Sequence, residues 1–259
     1  MSRTLWRFAG LCTLALVAMW AMPARAQMGD MKEKPPMYSY VGFWSIPRAQ
    51  WADMQKSEEA DQKVLSQAMS SGTIIGYGSD VNLVHQPDGA THDDWWSSMS
   101  MAGLMNVLNQ FYSNGSSTSP ALQSATRHWD GIYVSHFYNW KSGSWKGLYT
   151  HGGQYKLKAD APDEAVGMLA KNLIVPILEK QLADGTIVEY EIDTEAIHTD
   201  APGTFFIFYV AANADGLDKV QAAVQAAVKA NPLGLAAFDS MTDFSGHRDY
   251  LSMTNATYK

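Results

Sequence analysis

Cysteine is almost missing from this chain of 259 residues, where Cys12 is the only one. A disulfide framework and a metal centre built from several thiolates are excluded together. Positive charge is scarce as well: 19 Lys and Arg face 26 Asp and Glu, a formal net charge of -7. An acidic chain disfavours nucleic acid and anionic membrane as partners. No uncharged apolar run reaches the roughly 20 residues that a bilayer span needs. The chain also lacks a glycine-rich phosphate loop, a Gly-x-Ser-x-Gly elbow and a His-Glu-x-x-His pair, so three familiar routes to catalysis have no local signature. What the chain has in quantity is hydrophobic residues, 46% of the total, with 14 methionines and 12% aromatics. That is enough for a substantial folded core.

The first residues read as an export signal. Arg3 and Arg7 precede an apolar stretch from Phe8 to about Met22, and Pro23-Ala24-Arg25-Ala26 offers small residues where a signal peptidase cuts. Cleavage after Ala26 removes Arg3, Arg7, Arg25 and Cys12 and no acid, leaving a more acidic, cysteine-free periplasmic or secreted protein. Leu11 precedes Cys12 where a lipoprotein site would want a small residue. Residues 27–36, ending in Pro35-Pro36, read as a flexible lead.

The rest is written twice. Gly72-Thr73-Ile74-Ile75 runs on through His85 and Thr91 to Trp95-Trp96, and Gly185-Thr186-Ile187-Val188 runs on through His198 and Thr204 to Phe208-Tyr209, at one constant spacing. His128-Trp129-Asp130 is echoed by His247-Arg248-Asp249 with a slightly longer loop before it. Period-2 patterning predicts strands over 38–46, 73–85, 91–98 and 127–140, and helical periodicity predicts helices over 49–69 and 101–112. The second copy predicts strands over 147–158, 186–198, 204–211 and 247–258 and helices over 162–182 and 217–230. Each copy therefore reads strand, helix, strand, strand, helix, strand, with a first repeat at 37–140, a linker at 141–146 and a second repeat at 147–259.

Such a sheet has helices on one face, and two uncovered sheet faces in one chain are expected to close on each other. With this repeat and its matched Gly-Thr-Ile, His and Thr/aromatic positions, the chain resembles a tandem member of the dimeric α/β-barrel superfamily. The resemblance implies an α+β fold of two ferredoxin-like βαββαβ repeats whose antiparallel sheets form an α/β barrel within one chain. It also implies the functions hosted there, from cofactor-independent monooxygenases and haem-dependent enzymes such as chlorite dismutases to plain binding proteins.

Candidate chemistry is scattered. On the expected third strand His92, Asp94 and Trp96 share one face, a compact set in which a carboxylate could orient a histidine base beside an indole that stacks on substrate. His85 could approach His92 across the hairpin, and His85 and His198 could equally serve only to bond their turns. On the fourth strand His136 and Tyr138 could bind haem iron, with His247 as a second axial candidate, or they could be satisfied core residues. Glu189, Glu191, Asp193 and Glu195 share one face of a strand expected at a sheet edge, where charge discourages edge pairing; the same four could hold a hard cation. Trp140, Trp145 and Tyr149 flank the junction, either stacking on a sugar or packing the connection. Two sequons, Asn114 to Ser116 and Asn255 to Thr257, complete the inventory. The expected role is an exported small-molecule-binding protein for an apolar or aromatic ligand, and the alternative is a monooxygenase-type or haem-dependent oxidoreductase. An ionisable cluster inside a cavity would favour the enzyme.

Overall fold

A computed structural model describes residues 33–115 and 118–259; the expected signal at 1–26 and residues 27–32 of the lead lie outside them. The first half contains β1 (Met37–Ser45), α1 (Trp51–Ser70), β2 (Gly76–Asn82), β3 (His92–Ser98), α2 (Met101–Asn114), a short α3 (Pro120–Gln123) and β4 (Arg127–Trp140). After a two-residue strand β5 (Ser144–Trp145), the second half follows. It has β6 (Tyr149–Leu157), α4 (Ala165–Leu169), a wide π turn over Ala170–Ile174, α5 (Val175–Ala183), β7 (Ile187–Ile197), β8 (Thr204–Ala211), α6 (Ala214–Ala230), α7 (Pro232–Met241) and β9 (Thr242–Tyr258). The helix expected over 162–182 is thus split: Pro176 cannot donate to the helix ladder, and the turn before it widens so that Val175 N–H reaches the Ala170 carbonyl. β5, α3 and α7 were not foreseen. They are short or follow Pro232, and carry too little periodicity to read.

Eight strands form one closed antiparallel barrel in the order β2-β3-β1-β4-β7-β8-β6-β9, and β2 pairs with β9 to close it. The two halves join edge to edge, through β4 with β7 and β2 with β9. This corrects the placing of β7 at an edge. It is hydrogen-bonded to β4 on one side and β8 on the other, so its carboxylates need another explanation.

The two halves share backbone detail. Gly72 and Gly185 both end a helix at positive φ, 73° and 76°, where a side chain would be strained. Ser100 caps α2 by accepting from Gly103 N–H, and Asn213 caps α6 by accepting from Gly216 N–H. A Cβ on Gly103 would sit 2.6 Å from the Thr73 carbonyl oxygen, and one on Gly216 would sit 2.8 Å from that of Thr186. Each glycine lets a helix lie directly on the start of a strand. Alanine at Gly103 or Gly216 is expected to cost about 1–3 kcal/mol through overpacking, read from the midpoint of a urea titration. An unchanged midpoint would mean the helix can lift off the sheet freely.

The core of the first half lies between the barrel's outer face and α1 and α2, where Leu65, Ile74, Tyr77, Trp96, Leu104, Val107 and Phe111 are buried together. Each such side chain contributes about 1.5–3 kcal/mol by leaving water. Among the described residues no helix is long and apolar enough to cross a membrane.

Candidate active site

Between that outer face and α1 and α2 lies a cavity of about 90 Å³, with Tyr40 and Trp96 in its floor and Tyr112, 64% exposed, at its rim. Tyr40 and Trp96 stack with ring centroids 4.2 Å apart. Into this aromatic setting α1 sends Glu58. The helix buries Met54, Leu65 and Ala68 with Glu58 on the same stripe, so the carboxyl points at the sheet rather than at water. Its Oε2 accepts from Ser79 Oγ and from Asn255 Nδ2, both at 3.1 Å, and its Oε1 is buried without a partner. Burial outweighs the two hydrogen bonds and pushes the Glu58 carboxyl up to about 7.

Asp94 lines the same cavity from β3, where it pairs with Ser79 on β2 and Gly42 on β1. Burial first, and then the nearby Glu58, raise Asp94 well above the usual carboxylate range. Burial thus raises both carboxyls, Glu58 to about 7 and Asp94 well above its usual range, so both hold protons more readily than exposed acids do. Beside them His128 stacks on Trp44 at 3.5 Å, its Nδ1 lies 3.0 Å from the Phe43 carbonyl oxygen and its Nε2 lies 3.3 Å from Asp130 Oδ1. His247 repeats the arrangement in the second half, stacked on Tyr155, with Nδ1 at 2.9 Å from the Gln154 carbonyl oxygen and Nε2 at 3.4 Å from Asp249.

The expected set of His92, Asp94 and Trp96 does face one way. Asp94 and Trp96 line the cavity, whereas His92 lies beyond it, edge-on to Trp51 at 5.0 Å, with Nδ1 3.0 Å from Thr91 Oγ1. Burial, then the nearby His85, push the His92 imidazole down to about 4. His85 meets the same Trp51 ring at 5.8 Å, so the two histidines do approach across the hairpin. His198 is an exposed residue just past β7. Glu58 was missed. The signal was there: with Met54, Leu65 and Ala68 it keeps helical register on the apolar face.

His136 sits at a bulge where β4 slips against β7, with Nδ1 3.2 Å from the Lys34 carbonyl oxygen, and Tyr138 donates to the Pro35 carbonyl at 3.0 Å. Both therefore hold residues 34 and 35 against the barrel. Neither His136 nor His247 lines the cavity under α1 and α2. Trp140 packs over Lys259 and Trp145 pairs with Thr257, so the junction aromatics are engaged within the chain. In the second half Phe205, Ile207 and Tyr209 replace His92, Asp94 and Trp96. There α7 also brings Phe238 edge-on to Tyr155, 5.4 Å between centroids, covering the corresponding face.

No known family profile and no curated protein matches the sequence. Solved structures do. A candidate monooxygenase from Lactobacillus acidophilus NCFM aligns over 87% of this chain and 97% of its own at a TM-score of 0.64 and 10% identity. An anthrone oxidase-like protein aligns over 87% and 93% at 0.52 and 9% identity. A chlorite dismutase variant from Candidatus Nitrospira defluvii aligns over 86% and 92% at 0.51 and 13% identity. The chain has the dimeric α/β-barrel fold. At such identities the likeness speaks for the barrel alone, and chemistry has to be argued from the residues.

Proposed function

We propose that this α/β-barrel protein is a cofactor-independent oxidoreductase of the monooxygenase type, acting on an activated phenol or enol whose reacting edge enters the cavity between α1, α2 and the sheet. The observation that carries the reading is the buried, unpartnered Oε1 of Glu58, facing an aromatic cavity that it shares with Asp94. Glu58 removes the acidic proton of the substrate. Protonated Asp94 donates a hydrogen bond to the oxygen on which negative charge develops, and Trp96 and Tyr40 hold the ring. The substrate anion itself then supplies the electrons to dioxygen. For a phenol with a free para position the C–H carbon is oxidised to the second quinone carbonyl; one oxygen atom of O₂ becomes that carbonyl and the other leaves as water with two hydrogens. No external reductant enters this balance.

The names borne by two structural neighbours, a candidate monooxygenase and an anthrone oxidase-like protein, agree with this class of chemistry. We further read each half as a ferredoxin-like repeat, supported by the strand order β2-β3-β1-β4 and its counterpart β7-β8-β6-β9, and residues 1–26 as an export signal, so that the secreted or periplasmic form begins at Gln27.

The test is oxygen uptake by the purified protein with 1-naphthol and with anthrone, followed by mass spectrometry of the quinone formed under ¹⁸O₂. Catalysed uptake with one ¹⁸O in the product, rising with pH through about 7, is expected. Binding of both compounds without uptake above the spontaneous rate would leave the second reading, a small-molecule-binding protein, which a further cavity of about 260 Å³ inside the barrel favours on its own.

A further inference from the structure

The barrel interior holds a second cavity, of about 260 Å³, on the opposite face of the sheet from Glu58 and independent of the reading above. Its wall is unusual. Asp80 and Asp93 enter from β2 and β3, and Glu189, Glu191 and Asp193 from β7, beside the buried ammonium group of Lys259, with Arg248 also in the lining. Lys259 Nζ contacts Glu189 Oε1 and Glu191 Oε1 at 2.5 and 3.0 Å, which accounts for two of the five carboxyls. Asp80 accepts from Trp95 Nε1 and Thr150 Oγ1. Among the oxygens of these acids, the Oδ1 of Asp193, a residue 2% exposed, and the Oε2 of Glu189, 5% exposed, are buried with no hydrogen-bond partner.

Buried carboxyl oxygens without partners are expensive, and neutralisation by a proton or a cation is how proteins keep them. The neighbours of Asp193 indicate which kind of cation. Phe206 on β8 is its strand partner and Phe208 partners Glu191, the two rings lying 5.9 Å apart, and Tyr133 meets Phe206 edge-on at 5.1 Å. Carboxylate with flanking aromatic faces is the setting in which an alkylammonium group gains both ion pairing and cation–π attraction. A bare metal ion fits poorly: among the described residues no group of three or more His, Cys, Asp or Glu is arranged to hold one, and the space is far larger than an ion.

We propose that the barrel interior is a binding site for a compact organic cation, an ammonium on an apolar or aromatic body, seated between the carboxylate of Asp193 and the rings of Phe206 and Phe208. The oxidation proposed for the outer cavity has no use for this chamber. Binding here is a separate property of the same barrel, and its test requires no turnover.

Benzyltrimethylammonium is the probe and neopentylbenzene, its uncharged carbon isostere, the control, each titrated into the purified protein with calorimetry and the fluorescence of Trp95 and Trp129, which line the chamber. Saturable binding of the ammonium is expected, with the isostere at least tenfold weaker. Asp193→Asn should weaken the ammonium tenfold or more and leave the isostere unchanged; Phe206→Leu, which keeps every charge, should weaken it severalfold and serves if the first variant fails to fold. Equal affinity for both probes, or no saturable binding of the ammonium, would overturn the proposal and leave the interior acids as protonated structural groups.

Discussion

Glu58→Gln is expected to lower the turnover of an activated phenol by roughly 10²–10⁴-fold, the usual worth of a positioned general base, while making the protein more stable in alkaline buffer. The amide can still accept from Ser79 and Asn255 through its oxygen, so the local bonds survive. What disappears is the proton acceptor. The stability gain follows from linkage: the folded state raises the carboxyl from 4.5 to about 7, so it holds a proton that the unfolded chain has lost. Stability therefore falls as pH rises through that interval, and above it the full cost of the buried charge is present, about 3 kcal/mol for a shift of this size. The glutamine variant should match the parent near pH 5 and melt higher than it at pH 8–9. Turnover unchanged within threefold would remove Glu58 from the chemistry. An unchanged melting temperature at pH 9 would mean that its charge is hydrated.

Lys259→Met is the substitution expected to cost most in stability. The side chain of Lys259 is fully buried, its ammonium lies between Glu189 and Glu191 and over the faces of Trp95 and Trp140 at 4.6 and 5.0 Å, and its stem passes Gly76, where a Cβ would come within 2.5 Å of Lys259 Cδ. Removing one partner of a buried ion pair leaves the other charge uncompensated and costs about 3–5 kcal/mol. For a protein of this size that is a fall in melting temperature of roughly 10 °C or more. Burial raises Glu189 to about 8 even beside the lysine, so the variant's deficit should grow as pH rises from 6 to 9 and its carboxyls are forced to ionise. Adding Glu189→Gln and Glu191→Gln to Lys259→Met should recover much of the loss. A deficit under about 1 kcal/mol at pH 8 would show that the lysine is solvated.

Both outcomes turn on residues that the sequence displays without ranking. Glu58 is one of several acids on α1, and only its register with Met54 and Leu65 sets it apart. Lys259 has no pattern around it at all. His92 shows the opposite case: alternation correctly places it on one face with Asp94 and Trp96, yet face membership says nothing about position along the strand, and Trp51 occupies the space beside it.

The sequence by itself determined the order of the eight barrel strands and of the main helices between them, and which residues of each strand share a face, because these are set by local periodicity and by the special backbone needs of residues such as Gly72 and Gly185. Only the tertiary structure decided which edges join. Pairing of β4 with β7 and β2 with β9 is a long-range choice with no local signature, and it turns the acid face of β7 from an expected solvated edge into a wall of the cavity inside the barrel. A strand's alternation defines two sides; closing the barrel makes one of them the inside.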